Sequence, residues 1–596
     1  MSLSVHSAHF NAILSKEFSK DRYIGPFSQA ELETLIGPFQ SSPLSLVPKP
    51  HRTDAFRLVQ NFSFPHSPRS GILSINHTID SADFPCFWGT FAAFSFMVWG
   101  LPDGSEGAVR DVSEAYRLIP LHESQWPGTV VRLSNDDTFA IDPNLAFGMS
   151  PSGGVYGYAD DAFLDVARYR GLGPVARWVD DHVFLRVLRI YLDGHNRMRT
   201  LWRQLAIEFG GLHHSGGRLW YGGHDGGLAF EYDFIEDFMH PLRDHSNVSP
   251  RSAHDAAFHY AAVDIDALSV PLGIPWEPSK DSPFASEFTY TGFVWDLRAR
   301  TVSLSEPKRV KYHAAVHDWL QRRVHTREET EKMHGRLQHV SSLVRAGRAY
   351  LTRLSAMLGI FRDKALVPHH APSGTDDDLR WWLRVLSSTL TSPIRGPTPI
   401  VDVPAFSDAS SGVGIAIVIH DRWRAWRLLP GWQADHRDIG WAEAVGFELL
   451  VRALLSWDAC PHDFRVQGDN QGVVEGWRNG ASRNVQVNGV FRRVLDLEQS
   501  HSRRCHLQYV ASGRNPADGP SRGRYPPQHL LLPPVPLPAA LSPFLATVDI
   551  DEPFRGVALP YPAPSDASRA YQAHAITEDL WARKLHAAAA TSLTRD

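Results

Sequence analysis

The stretch ARWVDDHVFLRV, residues 176–187, sets Asp180 and Asp181 between two β-prone flanks, the pattern of a hairpin whose tip carries two carboxylates. About seventy residues earlier, VRDVSEAYRLIPL (109–121) places Asp111 at the end of another strand-like run, with Tyr116 five residues on. Two divalent ions are what phosphoryl transfer from a nucleoside triphosphate requires, one for the attacking hydroxyl and one for the leaving pyrophosphate. Magnesium prefers hard carboxylate oxygens, and neighbouring strands can present them side by side. An isolated Asp-Asp pair is more often a solvated turn, so the ordered set carries the reading.

Between the acidic segments lies LAFGMSPSGGVYGYADDAFL (145–164), a Gly-rich turn running into a helix. Upstream are PLSLVPKPHRTDAFRLVQNFSFP (43–65) and SINHTID (74–80); downstream are LGIPWEPSKD (272–281) and FTYTGFVWD (288–296). RDVSEAY, FGMSPSGG and WVDD resemble motifs A, B and C of reverse transcriptases, in order and spacing. The upstream segments resemble the fingers, LGIPWEPSKD resembles motif D and FTYTGFVWD the primer grip. The resemblance implies a right-hand polymerase of fingers, palm and thumb, in an α+β multi-domain chain. It makes Asp111 and Asp180 the magnesium ligands, with Asp181 as the less essential neighbour, and Tyr116 the gate that excludes a 2′-hydroxyl. Arg57 matches the arginine that pairs with the triphosphate, a bidentate task suited to guanidinium, and Lys49 is a second candidate. Gly148 would let the backbone approach the incoming nucleotide, and Lys280 would donate a proton to pyrophosphate. Tyr158-Ala159-Asp160-Asp161 spells the usual YxDD form better than Trp178-Val179-Asp180-Asp181 does. It falls inside the expected motif B helix, so Asp180 is preferred; Trp178 then replaces the usual tyrosine.

A second set of acids follows the Pro-rich linker TSPIRGPTPIVDVP (391–404). AFSDASSGVGIAIVI (405–419) reads as a strand with Asp408 early in it. GWAEAVGFELLVRALL (440–455) reads as a helix with Glu443 near its start, and FRVQGDNQGVV (464–474) as a strand ending at Asp469. YVASGRNPADGPSRG (509–523) opens a short element at Asp518. Four convergent carboxylates suit two-metal hydrolysis of a phosphodiester by water. These segments resemble an α/β ribonuclease H; Glu448 lies deeper in the helix and is the less favoured glutamate. The loop before Asp518 lacks the histidine that many members of that family carry.

The domain expectations are an N-terminal extension (1–40), fingers and palm (41–300, with an insert at about 187–271), a helical thumb or connection (301–392), a linker (393–404), the nuclease-like domain (405–524) and a Pro-rich tail (525–596) ending in an amphipathic helix at 577–590. A length of 596 residues suits roughly three or four domains. The 18 Trp and 31 Phe can build sizeable cores. A net charge of −5 neither supports nor excludes nucleic acid as a partner, since only the local field matters. Cys86, Cys460 and Cys505 form no CxxC pair, so neither a disulfide scaffold nor a zinc knuckle is expected. His213, His214 and His224, in the Gly-rich insert, read as loop residues rather than metal ligands. The stretch 84–101 is interrupted by Pro85, Thr90 and Ser95 and reads as a buried helix, not a membrane span. No apolar run of signal-peptide length opens the chain, so an intracellular protein of cytoplasm or nucleus is expected.

The resemblance implies an RNA- and DNA-directed DNA polymerase with RNA cleavage in RNA–DNA hybrids, using two magnesium ions per site with manganese as a substitute. Its partners would be an RNA template, a DNA primer, the hybrid and deoxynucleoside triphosphates. RDIGWAEAV (437–445), SRNVQVN (482–488) and FVWDLRARTVSLSEPKR (293–309) most resemble fungal DIRS-like retrotransposons, which bear a tyrosine recombinase. No protease triplet or integrase zinc pattern is present, so integration, if the element is mobile, would come from another chain, such as a recombinase, or from sequence outside these residues. The alternative reading is a decayed or domesticated copy that binds nucleic acid without catalysis.

Overall fold

The computed structural model describes residues 7–48, 56–66, 71–85, 89–133, 137–208, 212–214, 218–221, 232–234, 240–248, 250–361, 367–394, 400–457 and 460–548. Lys49, Cys86, His224 and the helix expected at 577–590 lie outside them. The chain forms two compact units, which divide at residues 291–299.

In the first unit a four-stranded antiparallel sheet is ordered β4-β1-β3-β2, from β1 (Glu106–Asp111), β2 (Val175–Trp178), β3 (Asp181–Arg186) and β4 (Ser282–Ala285). Val183, Phe184 and Leu185 on β3 have no exposed surface. Such a run, apolar on both faces, belongs to a central strand covered on both sides. Helix α2 (Ser152–Tyr169) supplies Phe163, Leu164 and Ala167 to the same core. Helix α1 (Ser7–Ser19) packs Phe10 with Leu44, Leu46, Phe56 and Leu58 of a strand pair, Leu44–Pro48 and Phe56–Gln60. The helix read between residues 84 and 101 is Phe91–Trp99, with Phe94, Met97 and Val98 buried.

The expected insert contains regular structure. Leu192–Glu208 and Ala262–Ser269 are helices, and Tyr260 and Ile265 belong to the core beneath the sheet. His213 and His214 lie on a strand, Leu212–His214, paired with Arg218–Tyr221, which corrects their reading as loop residues.

The second unit opens with helices α3 (Glu306–Leu320), α4 (Arg327–Val340) and α5 (Thr375–Leu386). Within the expected helical segment, α4 ends at Val340 and a 3-10 turn, Arg345–Tyr350, precedes a short helix Thr352–Ile360. Gly347 explains the break: a Cβ there would lie 2.5 Å from the ring of Trp382, which is wholly buried.

A six-stranded sheet follows, ordered β9-β8-β5-β6-β7-β10, from β5 (Val401–Ala409), β6 (Gly414–Ile419), β7 (Arg422–Leu428), β8 (Asp463–Gly468), β9 (Arg504–Tyr509) and β10 (Leu545–Thr547). The pairs β5/β8 and β8/β9 are parallel and the others antiparallel. Helix α6 (Ile439–Leu455) is buried along nearly its whole length, its many apolar side chains belonging to the core of this sheet. Helices α7 (Gln471–Asn479) and α8 (Val485–His501) complete the core, whose largest buried side chains include Trp426 and Phe491. Arg492 on α8 reaches the helical segment, at 2.9 Å from Asp378 and 2.7 Å from the Ala349 carbonyl.

Two boundaries differ from the sequence reading. β5 begins at Val401, so Asp408 is its penultimate residue rather than an early one. Pro404, which made this stretch look like a linker, sits where the β5/β8 register shifts between Asp402 and Phe406, a bulge that tolerates the missing N–H. The sheet also continues past residue 524. Leu532, Leu541 and Leu545 are buried in the core, and β10 pairs with β7 at the sheet edge, where a proline-rich approach costs no ladder bonds.

Candidate active sites

The first carboxylate cluster follows from the register of β1 and β3, which sets Asp111 opposite Asp181. Between β2 and β3 the chain turns through Val179, whose φ of 57° is left-handed, a strained conformation for a β-branched residue. The turn is pinned by the Val112 N–H, which donates to the Asp180 carbonyl at 2.9 Å. As a result Asp111, Asp180 and Asp181 each offer an oxygen within 4.8 Å of the others. Burial, and then the charge of Asp111, raises the pKa of Asp180. Burial and the charges of Asp180 and Asp111 raise that of Asp181. Three crowded carboxylates, offering oxygen as the only donor type, fit hard divalent ions such as magnesium. Lys280 Nζ donates to both Asp111 oxygens, at 2.8 and 2.7 Å. Its segment is tied alongside by bonds from Ser113 N–H to the Pro275 carbonyl and from Glu277 N–H to the Asp111 carbonyl, both 2.8 Å.

Tyr116 stands on the 3-10 turn Ala115–Leu118, its ring 5.1 Å from that of Phe147 and 5.8 Å from that of Tyr156. The 116 and 147 positions, far apart in sequence, thus share one wall. Gly148 has a φ of 102°, and a Cβ there would meet the Gln60 carbonyl at 2.6 Å. Glycine at 148 therefore answers to the protein's own backbone. Asn76, which the sequence reading passed over, clamps this turn: its side chain donates to the Gly148 carbonyl at 2.8 Å and accepts from the Ser150 N–H at 2.8 Å. Arg57 is exposed on the strand Phe56–Gln60.

The better-spelled pair, Asp160 and Asp161, is buried on α2 behind the cluster. Arg177 Nε lies 3.1 Å from Asp160, its Nη2 donates to Asp161 and, at 2.9 Å, to the Gly157 carbonyl. His182 Nε2 sits 2.9 Å from Asp160, and its Nδ1 is 3.2 Å from the Asp180 carbonyl. These acids are neutralised within the core and back the hairpin that carries Asp180.

The second cluster forms where β5 and β8 end beside α6. Asp408, Glu443 and Asp469 each offer an oxygen within 4.8 Å of the others. Burial, then Asp408 and Asp469, pushes Glu443 up to about 9. The Asp408 pKa is raised by burial and by the charges of Asp469 and Asp518, against the hydrogen bond from Ser521. Asp469 Oδ1 is buried without a hydrogen-bond partner among the described residues, an orphaned acceptor that suits a cation. Asp518 stands apart from this triad, its carboxylate taken by Arg522 at 2.8 Å and Arg524 at 3.3 Å. Glu448, the less favoured glutamate, is wholly buried and bonded to Arg493 at 2.6 Å and Arg452 at 2.8 Å, joining α6 to α8. Ser521, in the SRG that follows the last aspartate, is the residue sequence reasoning missed here; a hydroxyl one helical turn beyond Asp518 was the available signal.

Among the described residues no helix is long and apolar enough to cross a membrane. No family model matches the chain, and no curated protein does. Among solved structures, the chain is similar to the foamy viral protease-reverse transcriptase in complex with dsDNA, at 11% identity and a TM-score of 0.38, over 85% of this chain and 82% of that one. It is also similar to that protein in complex with an RNA/DNA hybrid, at 11% identity and a TM-score of 0.35, over 79% of this chain and 50% of that one. The native prototype foamy virus protein aligns at 9% identity and a TM-score of 0.27, over 84% of this chain and 53% of that one. Likeness at this level assigns the chain to no family.

Proposed function

We propose that the chain is an RNA- and DNA-directed DNA polymerase that also cleaves the RNA strand of RNA–DNA hybrids, from a retrotransposon of the DIRS-like kind. The observation that carries this reading is the pair of carboxylate triads, one at a hairpin tip in the first unit and one at the strand ends of the mixed sheet in the second. Bound magnesium, two ions per site, would activate the attacking hydroxyl or water and neutralise charge on the departing oxygen. Asp111, Asp180 and Asp181 would hold the first pair; Asp408, Glu443 and Asp469 would hold the second, with Asp518 at the rim.

The chain's own groups do the rest. Lys280 lies against Asp111 and hands a proton to the leaving pyrophosphate. Tyr116, on its aromatic wall, excludes a 2′-hydroxyl from the incoming sugar, and Arg57 pairs with the triphosphate. Lys49 shares that task. In the second unit Ser521 fixes the rotamer of Asp408, while Arg522 and Arg524 hold Asp518 at the rim.

The test is extension of a DNA primer on an RNA template with deoxynucleotides in magnesium or manganese, by the wild type and by Asp180→Asn. Extension by the wild type alone supports the reading. No extension by the wild type overturns it in favour of a non-catalytic nucleic-acid-binding copy. Loss of hybrid cleavage in Asp469→Asn, with extension kept, separates the two sites.

A further inference from the structure

The N-terminal segment has no part in the reading above, yet it touches two elements of the nucleotide site at once. On one side, α1 lays Phe10, Ile13, Leu14 and Phe18 against Leu44, Leu46, Phe56 and Leu58, the strand pair that carries Arg57. On the other, residues 16–22 hold the turn that carries Tyr116. Glu114, two residues before Tyr116, has a left-handed backbone (φ 55°, ψ 36°), a costly conformation for a glutamate that outside ties can offset. Such ties are present: Lys20 lies 2.6 Å, Arg22 2.7 Å and Lys16 3.4 Å from its carboxylate. Burial alone would raise the Glu114 pKa, but the hydrogen bonds of Arg22 and Lys20 outweigh it and bring the carboxyl down to about 2.

One residue beyond Tyr116, Arg117 is drawn the same way. It donates to Glu17 at 3.3 Å and to the Arg22 carbonyl at 3.5 Å, and it is anchored on Asp142 at 2.7 and 2.8 Å. Arg117 and Asp142 are nearly buried, where such a pair is screened little by solvent. The ring that would judge the sugar is thus bracketed, at 114 and 117, by ties to one N-terminal segment. That segment is glued in turn to the strands bearing the triphosphate arginine.

We propose that residues 7–23 are a positioning element of the nucleotide site, with Lys20 and Arg22 fixing Glu114 so that the Tyr116 ring stands where it discriminates between deoxyribose and ribose. This rests on the polymerase reading for its consequence, though not for the tie itself.

The test uses the full chain with a primer–template and single-nucleotide incorporation of a deoxynucleotide and its ribonucleotide counterpart. Lys16→Glu with Lys20→Glu removes two exposed cations and leaves the apolar face of α1 intact; Lys20→Arg preserves the charge. The double variant is expected to lose about tenfold in the ratio of kcat/KM for deoxynucleotide over ribonucleotide, through ribonucleotide KM rather than deoxynucleotide kcat. Lys20→Arg should keep the wild-type ratio, and Glu114→Gln should reproduce the loss. A ratio within about twofold of wild type in the double variant overturns the proposal while leaving the polymerase reading in place. Hydrogen exchange of residues 112–119 judges the tie without any activity: faster exchange in the double variant, restored in Lys20→Arg, supports it, and unchanged exchange overturns it. If the wild type extends no primer, the polymerase reading and the selectivity consequence fall together.

Discussion

Lys280 Nζ lies 2.8 and 2.7 Å from the two carboxylate oxygens of Asp111, so an ammonium already stands where the first cluster would hold metal charge. The lysine side chain is half exposed, while the aspartate is buried. The pair is therefore one that an incoming divalent ion can open by swinging the lysine outward. Removing the lysine should have two opposed effects. In Lys280→Ala the magnesium concentration for half-maximal primer extension should fall, because a competing cation is gone. At saturating magnesium kcat should drop by about a hundredfold, the usual worth of a positioned general acid. A magnesium titration of both forms checks this; an unchanged kcat would remove Lys280 from the chemistry.

Asp180→Asn and Asp160→Asn should fail in different ways. The first removes a charge from a crowded, partly exposed cluster, so extension should fall by at least about a thousandfold with the melting temperature unchanged or raised. The second leaves Arg177 and His182 buried beside a neutral amide and should cost about 3 kcal/mol of stability. Thermal melts with extension assays on the same preparations separate the two.

The glutamates of α6 give the same contrast in the second unit. Glu443 is pushed up to about 9 by burial and by Asp408 and Asp469, so its carboxylate opposes folding increasingly as pH rises from its ordinary value of 4.5 through 9. Glu443→Gln should therefore abolish hybrid cleavage yet hold or raise stability near neutral pH. Glu448→Gln breaks a buried bond set with Arg493 and Arg452 and should lose about 3 kcal/mol. Urea unfolding followed by the fluorescence of the buried tryptophans would show the sign of each change.

His259 predicts a pH limit for the first unit. Its Nδ1 accepts from the Val187 N–H at 3.2 Å, and its Nε2 meets the Gly173 carbonyl at 3.0 Å, so β3 and the turn before β2 meet on a neutral ring. Burial pushes its pKa from 6.5 down to about 3. The unfolded chain then takes up a proton that the folded chain refuses throughout that window. Stability present in full above pH 6.5 should decline as pH falls, by up to about 1.4 kcal/mol per pH unit. Equal hydrogen-exchange protection of β3 at about pH 7.5 and about pH 5.5 would contradict this.

Much of both clusters was legible in the sequence because their geometry is local. A strand pattern ending at Asp111 and a hairpin around Asp180 fix side chains through register, and register follows from alternation and turn position. The choice of Asp180 over Asp160 followed from asking which pair stood on a strand turn and which inside a helix. What lay hidden were long-range electrostatic partners: nothing in the spelling of YADD names Arg177, and nothing in RDVSEAY names Lys20. At Gly148 the sequence could not show the demand made by a carbonyl 88 positions away, at Gln60. Pro404 misplaced the start of β5, because a proline reads as punctuation unless a bulge receives it.

The strand at Leu545–Thr547 has a practical consequence for anyone trimming the chain. A protein cut after residue 524 would lose the leucines at 532, 541 and 545 and leave the backbone donors and acceptors of β7 bare from Trp426 to Leu428. An uncovered sheet margin of that kind invites pairing with the same margin on another copy. Such a truncation should self-associate, and the proline-bearing segment that looks dispensable is the cap that keeps copies of this domain apart.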